Sequence, residues 1–468
     1  MKPTRPNVIL IVSDDHGYAD RSSLGIHPEV RTPGLDRLAA EGVECTEAYV
    51  TAPICSPSRA GLIAGQYQAR WGARWFGDSS FPAHRPSLAE QFGGLGYSTG
   101  YLGKVHYGQE DVGDRGCPPH HGFDETYYGL AGKQQGRLNY LRHSDSAVAE
   151  YGSEASWRMA VQPMLDGDDE IELEGFLTDE LGARARDFTR RHSSAPEPFF
   201  LMLAFNAVHN FCWQLPPEEL RRRGLPNRDD WHDDDAVGYG GWYDGSITPN
   251  LEHGREYYLA QLELMDAQIG ALLGELDDLG IADDTIVVYL TDNGGSTCNY
   301  ADNTPLNGTK YTLWEGGIRV PFLVRWPGGH LPAGIRRAGM VSSMDLYPTV
   351  LSAAGADPAS YADCDGLDQL DLLRTGGSGH EELHWDTGFQ WAVRAGRWKL
   401  TTVDRDAGEV SYLESIEHAT LGPAVRLHDL ADDPGERHDL ASQRPDLVAR
   451  LTDRHQAWQR ETGKESNR

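Results

Sequence analysis

A single cysteine in the stretch APICSPSRAGLIAGQ, residues 52–66, directly precedes a predicted helix start. Ser56 is a favoured helix cap and Pro57 a favoured first helical residue, so Cys55 would adjoin a helix N-terminus. The N–H groups and the dipole there favour an anion. No histidine or aspartate adjoins Cys55 to activate a thiolate. Three interpretations stay open: a buried structural thiol, a thiol nucleophile, or a residue that does not remain a cysteine.

Carboxylate and amide side chains follow two predicted strands. Asp14 and Asp15 come directly after the apolar run NVILIVS, and the run TIVVYLT is followed by Asp292 and Asn293. Each pair alone is typical of a turn. Ligands bind at the carboxyl ends of parallel strands, where these four oxygen-bearing groups would meet. Such donors suit Ca²⁺, or Mg²⁺ as the second choice, better than a soft metal.

Basic side chains form a second group at the predicted strand ends. Lys104 and His106 lie two residues apart in GKVH, so both point to one side of an extended strand. His209 ends another apolar run, and each such residue alone would fit a solvated lysine or a satisfied histidine. With Arg59 and Lys310 they would neutralise a tetrahedral oxyanion beside a metal ion. The convergence of several strand ends predicts an enzyme.

Five apolar runs, each followed by polar residues, predict the strands that position these groups: NVILIVSDD, GYSTGYLGKVH, PFFLMLAFNAVH, DTIVVYLTDNGG and VPFLVRWPG. Helical periodicity, clearest over residues 256–280, separates them. The pattern predicts an α/β fold whose mostly parallel central sheet is sandwiched by helices. Beyond residue 366, short strands and a closing helix predict a smaller α+β unit. The predicted division is a catalytic domain over residues 1–365 and a C-terminal α+β subdomain of antiparallel strands over residues 366–468.

The composition limits the partners. Asp and Glu number 71 against 42 Lys and Arg, a formal charge of -29, which argues against nucleic acid and anionic membranes as main partners. Six scattered cysteines without a CxxC pair predict mostly reduced thiols. The start MKPTRPNVILIVSDD leads directly into a strand, which predicts a cytoplasmic protein, or a periplasmic or secreted one if a signal peptide was trimmed. The oligomeric state stays open, a homo-oligomer included.

The segment CSPSRAGLIAGQ resembles the sulfatase signature, in which C-x-P-x-R directs oxidation of the cysteine to Cα-formylglycine. Companion motifs follow in the order typical of type I sulfatases of the alkaline phosphatase superfamily: NVILIVSDDHGY, GYLGKVHYG, AFNAVH, TDNGG, NGTKYTLWEGGIRVPFLVRWPG, AVRAGRWKL and LHDLADDPGERHDLA. Val105 and His16 depart from residues that the family often has there, and neither departure removes a catalytic group. The resemblance implies an alkaline phosphatase-like fold and a sulfuric ester hydrolase.

The resemblance also implies a metal ion and a modified residue. Ca²⁺ would be bound by an oxygen of the modified Cys55 together with Asp14, Asp15, Asp292 and Asn293. The hydrated aldehyde resolves the mismatch between a soft thiolate and a hard cation. A formylglycine-generating enzyme is the implied partner during maturation.

The implied mechanism gives each remaining group a role. One hydroxyl of the hydrated aldehyde attacks sulfur, while Arg59 stabilises the diol. Lys104 and Lys310 neutralise the sulfuryl oxygens. His209, with Lys310, protonates the departing alcohol, and His106 then takes the proton of the second hydroxyl so that sulfate leaves.

Two predicted loops, residues 129–146 and 225–250, are candidates for binding the substrate, for which the resemblance implies a sulfated carbohydrate. Trp231 and Trp242 would stack on sugar rings at the cleft mouth, with packing against the body or another subunit as the equal alternative. The further candidates in the first loop are Gln134, Arg137 and His143.

Two other functions fit the same residues. A phosphodiesterase or phosphonate monoester hydrolase of the same superfamily would use the same formylglycine and metal ion. An inactive protein with an unmodified Cys55 would hold sulfated glycans in its cleft. The complete set of catalytic positions argues against the inactive protein, while the related hydrolase stays open.

Overall fold

The computed structural model describes residues 5–132, 136–151, 164–238, 241–242, 245, 251–415 and 418–463. The α-helices within these residues are α1 (Pro33–Glu41), α2 (Cys55–Ala64), α3 (Leu88–Gly94), α4 (Asp145–Tyr151), α5 (Leu177–His192), α6 (Pro217–Arg223), α7 (Gly254–Asp278), α8 (Glu315–Ile318), α9 (Leu346–Ala353), α10 (Leu370–Thr375), α11 (Gly408–Ser415) and α12 (Pro445–Thr462). No helix in this part of the chain is long and apolar enough to cross a membrane.

The strands are β1 (Asn7–Ser13), β2 (Val43–Cys45), β3 (Ala48–Tyr49), β4 (Ser98–Val105), β5 (Glu125–Leu130), β6 (Met164–Asp166), β7 (Asp169–Ile171), β8 (Phe199–Ala204), β9 (Thr285–Thr291), β10 (Phe322–Arg325), β11 (Ile335–Arg337), β12 (Val341–Ser342), β13 (Glu382–Asp386), β14 (Gln390–Ala395), β15 (Trp398–Val403) and β16 (Val425–Asp429). All five strands predicted from the apolar runs are present.

A ten-stranded sheet forms the centre of the described fold, in the order β11-β2-β10-β9-β1-β8-β4-β5-β6-β7. The five strands from β9 to β5 run parallel to one another. Strand β10 runs antiparallel to β9, and β6 runs antiparallel to β5. The mostly parallel α/β sheet predicted from the sequence is therefore confirmed.

Helices cover both faces of this sheet, which explains why its strands read as continuous apolar runs. In β1, Ile9 and Ile11 pack with the face that carries α1, α5 and α7. The alternate residues Val8, Leu10 and Val12 pack with the opposite face, against α2, α3 and α9. With both faces covered, ligands reach the sheet at its strand ends.

A smaller antiparallel sheet follows in the order β13-β14-β15-β16. Helix α12 packs on it through Leu447 and Leu451. A buried ion pair connects this sheet with helix α8, because Lys399 Nζ on β15 lies 2.9 Å from Glu315 Oε1. The antiparallel strands and the closing helix confirm the predicted class of this region, while the division at residues 365 and 366 stays a prediction.

Candidate active site

The adjacent strands β1 and β9 end side by side and bring two predicted acidic pairs together. The strands are in register, with Ser13 opposite Thr291. The backbone N–H of Asp15 donates to Asp292 Oδ1 at 3.3 Å, and Asn293 Nδ2 donates to Asp15 Oδ1 at 2.6 Å. These acidic and amide side chains are almost fully buried. The structure thus places all four predicted metal ligands of the two strand ends in one cluster.

Cys55 is the first residue of α2, and Ile54 is the helix cap. The expectation that Ser56 caps the helix is wrong: the helix begins one residue before Ser56, whose Oγ has no hydrogen-bond partner among the described residues. Pro57 is then the third helical residue, a position where the missing N–H of proline costs no intrahelical hydrogen bond. The thiol lies 3.8 Å from Asp14 Oδ1. Burial raises the pKa of Cys55 to about 12, so the unmodified side chain is a neutral thiol at neutral pH.

Arg59 lies four residues after Cys55, on the same face of α2. Its Nε donates to Asp292 Oδ2 at 2.7 Å, and its Nη2 lies 3.4 Å from Asp14 Oδ2. Burial opposes its charge, but Asp292 and Asp14 raise its pKa well above the ordinary value. One guanidinium therefore fixes the helix that carries Cys55 to both acidic strand ends.

Lys104 and His106 come from the end of β4 and face the same space. Lys104 Nζ donates to Asp14 Oδ2. A Cβ atom placed on Gly136, at φ +80°, would lie 2.9 Å from His106 Cε1 and 3.6 Å from Lys104 Nζ. Burial, and then the charge of Lys104, lower the pKa of His106 well below its usual value. The imidazole is therefore neutral, with a buried Nδ1 that has no hydrogen-bond partner among the described residues.

His209 and Lys310 form a buried pair with Asp15. Lys310 Nζ lies 3.0 Å from His209 Nε2 and donates to Asp15 Oδ2 at 2.9 Å. Burial and Lys310 lower the pKa of His209 well below its usual value. Burial opposes the charge of Lys310 too, but the adjacent Asp15 outweighs it and the pKa of Lys310 is raised well above normal. The proton of this pair therefore resides on Lys310.

The donor atoms fit a hard cation. One atom each of Asp14, Asp15, Cys55 and His209 lies within 4.8 Å of the other three. Asn293 Oδ1 is buried, and no described residue donates a hydrogen bond to it. A buried acceptor without a donor is costly unless something else satisfies it. The strand-end oxygens, including this one, match the chemistry of Ca²⁺ or Mg²⁺.

Two buried side chains near the site were not predicted. Asn299 Nδ2 donates to Asp15 Oδ2 at 2.7 Å. Gln390, on β14 of the small sheet, donates from Nε2 to the carbonyl of Tyr311 at 2.6 Å and accepts from the N–H of Leu313 at 3.3 Å. Asn299 lies six residues after Asn293, in a stretch typical of a turn. No local signal in the sequence connects Gln390 with the segment that carries Lys310.

The residues predicted to bind substrate are dispersed. Arg137 Nε donates to Asn210 Oδ1 at 3.2 Å, beside His209 in the chain. The indole of Trp231 is buried in the core and donates to the carbonyl of Val237 at 3.0 Å. In the structure this indole packs against the body of the protein, which is one of the alternatives that the sequence left open.

The other substrate-binding candidates lie around the same loops. His143 Nδ1 lies 2.8 Å from Asp230 Oδ2. Trp242 packs edge-on against Trp213, with ring centroids 5.7 Å apart. Gln134 lies outside the described residues.

Comparison with known proteins connects this geometry to one family. Residues 6–356 match the sequence model of the family described as Sulfatase. The chain is 31% identical to Arylsulfatase A from Bos taurus, over 93% of this chain and 83% of that protein. It is 31% identical to N-acetylgalactosamine-6-sulfatase from Sus scrofa, over 80% of this chain and 67% of that protein.

A solved structure agrees with these relatives. The crystal structure of Ps i-CgsB in complex with k-i-k-neocarrahexaose superposes with a TM-score of 0.80 at 27% identity, covering 99% of this chain and 94% of that one. The chain belongs to the sulfatase family. It is a sulfatase, an enzyme that hydrolyses sulfate esters, and the predicted family, fold class and enzyme class are confirmed.

Proposed function

We propose that this sulfatase removes sulfate from a sulfated saccharide, using a formylglycine made from Cys55 by a formylglycine-generating enzyme. The saccharide is supported by Ps i-CgsB, which was crystallised with k-i-k-neocarrahexaose, and by the name of the N-acetylgalactosamine-6-sulfatase relative. The observation that carries the mechanism is the meeting of three buried carboxylates and three buried basic side chains at the first residue of α2. The residues of that cluster are Asp14, Asp15, Asp292, Arg59, Lys104 and Lys310.

The proposed metal ion is Ca²⁺, with Mg²⁺ as the second choice, held by Asp14, Asp15, Asp292, Asn293 and residue 55. When present, Ca²⁺ supplies positive charge for the sulfuryl oxygens, and the formylglycine hydrate supplies the hydroxyl that attacks sulfur. His209 also lies within reach of the donor group. We assign it to proton transfer instead, because a hard cation prefers oxygen and because His209 Nε2 lies 3.0 Å from Lys310 Nζ.

The three basic side chains would divide two tasks, the neutralisation of the sulfuryl group and the positioning of residue 55. Without a substrate, Lys104 and Lys310 pair with Asp14 and Asp15, so each carboxylate is already neutralised. A cation bound by these carboxylates would leave both ammonium groups available to substrate oxygens. Arg59 would stay with Asp292 and orient residue 55 from one turn further along α2. Charges held in a buried site stabilise a transition state more strongly than charges in water.

Protons would move at two positions in the proposed reaction. The His209–Lys310 pair holds one positive charge, on the ammonium group of Lys310. The pair would deliver one proton to the oxygen of the departing alcohol. His106 is neutral and buried. After the alcohol has left, it would accept a proton from the hydroxyl of residue 55 that is not sulfated. One basic group is thus protonated and the other neutral, as acid and base catalysis require.

A panel of defined esters tests the proposed function. Protein co-expressed with a formylglycine-generating enzyme is incubated with sulfated mono- and disaccharides, aryl sulfates, phosphodiesters and phosphonate monoesters. We expect the highest kcat/KM with one of the sulfated saccharides. A preference for a phosphodiester or a phosphonate would contradict the proposal in favour of the related hydrolase, and binding without turnover would favour the inactive glycan-binding protein.

Removal of the metal ion is expected to lower both stability and activity. A ligand that binds only the folded state stabilises it by about 2.7 kcal/mol at one hundred times its Kd. Chelator-treated protein should therefore melt at a lower temperature, and added Ca²⁺ should restore the Tm. In Asn293→Ala the Ca²⁺-dependent shift should shrink, because the buried Oδ1 acceptor is lost. Asn7→Ala is the matched control and should keep the full shift, because Asn7 lies at the N-terminal end of β1, away from the strand ends that carry the proposed metal ligands. Equal shifts in both variants would contradict this ligand set.

Gln390 is expected to act as a positioning residue for Lys310. Gln390→Ala removes the hydrogen bonds to Tyr311 and Leu313, so the Lys310 ammonium loses its fixed place. Misplacement of a catalytic group by about 1 Å costs up to about 10²-fold, and we expect kcat to fall at least about tenfold with little change in KM. Gln459→Ala removes a comparable hydrogen bond, to Asp386, within the same small subdomain. If both variants lose stability alike and neither loses kcat, Gln390 has a structural role only.

A further inference from the structure

We propose that Trp75, Phe76 and Tyr311 form an aromatic platform that binds the sugar ring carrying the scissile sulfate. The inference rests on the proposed function and names a subsite for its leaving group. It replaces Trp231 as the place where a sugar would stack, because that indole is buried in the core. Each of the three platform residues is half-buried, so part of its surface faces solvent.

The three rings form one contiguous group. The centroid of Trp75 lies 5.6 Å from that of Phe76 and 6.3 Å from that of Tyr311, and Phe76 lies 6.3 Å from Tyr311. Trp75 also packs edge-on against Phe389, at 4.9 Å and 90°. Phe389 belongs to a small core of the C-terminal region on which Trp75 and Tyr311 pack. The platform is therefore supported from below by fixed apolar residues.

The platform adjoins the reacting group. Lys310 Nζ lies 5.4 Å from the centroid of the Tyr311 ring. The N–H of Tyr311 donates to the carbonyl of Pro53 at 2.7 Å, two residues before Cys55. A sugar ring bonded to the leaving oxygen beside Lys310 would therefore lie within contact distance of Tyr311.

Hydrogen bonds hold the loop that carries Trp75 and Phe76 in place. Asp78 Oδ1 accepts from the N–H groups of Arg74 and Trp75, at 2.9 and 2.6 Å. Ser79 Oγ donates to the carbonyl of Tyr107 at 2.6 Å, and Tyr107 directly follows His106. The loop thus contacts the chain directly after His106 through Ser79, and the chain directly after Lys310 through the ring of Tyr311.

The surroundings of the platform favour a hydroxylated ring over a purely apolar one. Asp78 is exposed and adjoins the rings in the chain. The guanidinium of Arg74 lies 3.8 Å from Asp386, in the same hairpin as Phe389. Aromatic faces take the C–H side of a flat ring, and charged side chains at the rim bind its hydroxyl groups. A sugar presents both kinds of surface.

Steady-state kinetics of Trp75→Ala and Phe76→Ala test the platform. With a sulfated disaccharide that the formylglycine-containing enzyme hydrolyses, we expect each variant to raise KM about tenfold. Inhibition by inorganic sulfate should stay unchanged, because sulfate alone occupies only the sulfuryl site. Trp398→Ala, a half-buried tryptophan on β15, is the matched control and should leave KM unchanged. Binding of the same disaccharide to protein with unmodified Cys55, measured by calorimetry, should weaken by the same factor in the platform variants.

The outcomes separate this inference from the proposed function. Hydrolysis of the disaccharide with KM and binding unaffected by the platform variants would overturn the platform and leave the proposed function intact. Hydrolysis of aryl sulfates alone, with the same dependence on Trp75, would overturn the sugar as the occupant. Release of sulfate from neither saccharides nor aryl sulfates would overturn the proposed function, and the platform with it.

Discussion

Cys55→Ser is expected to lose multiple turnover, with sulfate release falling by at least about 10⁴-fold, as is typical when a nucleophile is removed. The hydroxyl oxygen of a serine at the start of α2 would take the place of Cys55 Sγ, near Asp14 and one turn before Arg59. This hydroxyl could attack the sulfur atom of the substrate once, which would leave a sulfated serine. It has no second hydroxyl from which His106 could take a proton, so the sulfated serine would have no route back.

The measurement is inorganic sulfate released per enzyme over many equivalents of substrate, with intact mass recorded on the same sample. We expect no inorganic sulfate above background from Cys55→Ser, and an intact mass that shows either at most one covalently bound sulfate per enzyme or no reaction. Cys364→Ser is the control, since its half-buried Sγ donates to the carbonyl of Gly366 at 3.2 Å, a bond that a serine hydroxyl can also make. Full turnover by Cys55→Ser would refute the assignment of residue 55.

His209→Ala is expected to impair hydrolysis by a factor that depends on the leaving group. An alcohol of a sugar needs a proton as it departs, and loss of a general acid costs about 10²–10⁴-fold. A nitrophenolate leaves without a proton, so 4-nitrophenyl sulfate should lose less than about tenfold in kcat. The contact of 3.0 Å between His209 Nε2 and Lys310 Nζ is the structural basis of this expectation.

Lys310→Ala should behave differently from His209→Ala. Lys310 carries the proton of the pair and also faces the sulfuryl oxygens in the proposed reaction, so its loss should lower kcat for both classes of substrate. Thermal melting of both variants separates catalytic loss from unfolding. His192→Ala is the control, because it replaces a half-buried histidine that pairs with Glu125 away from the site. If both substrates lost kcat equally in His209→Ala, the histidine would not take part in leaving-group protonation.

The convergence of strand ends could be predicted because it depends on local patterns. Apolar runs that end in Asp14, Lys104 or Asp292 are visible in the sequence, and parallel strands place their carboxyl ends at one edge. The structure brings these side chains into contact through Arg59, which bonds Asp292 and lies beside Asp14. The sequence pattern also predicted the small antiparallel sheet, which α12 covers.

Local patterns were insufficient where packing decides. Ser56 and Pro57 look like a helix start, but Ile54 adopts the extended capping conformation and the helix begins at Cys55. Trp231 lies in a Gly- and Asp-rich segment typical of an exposed loop, yet its indole is buried because it packs into the core of the large sheet. Burial of a single aromatic residue in a loop depends on the rest of the fold, which no local pattern reports.

Contacts between distant segments account for the remaining differences. Gln390 and Tyr311 are 79 residues apart in the chain and meet only because the small sheet docks beside the Lys310 segment. Trp75 reaches Tyr311 across a still longer separation. Neither pair has a spacing that a helix or strand would produce, so the sequence alone gave no reason to connect these residues with the active site.

In the proposed mechanism, sulfate release depends on conversion of Cys55 to formylglycine. One measurement tests it directly: inorganic sulfate released from a sulfated saccharide, compared between preparations whose converted fraction at residue 55 is known from peptide mass. We expect the rate to rise in proportion to the converted fraction and to vanish in protein that holds only the thiol. Equal rates from converted and unconverted protein would show that formylglycine at residue 55 is not the nucleophile.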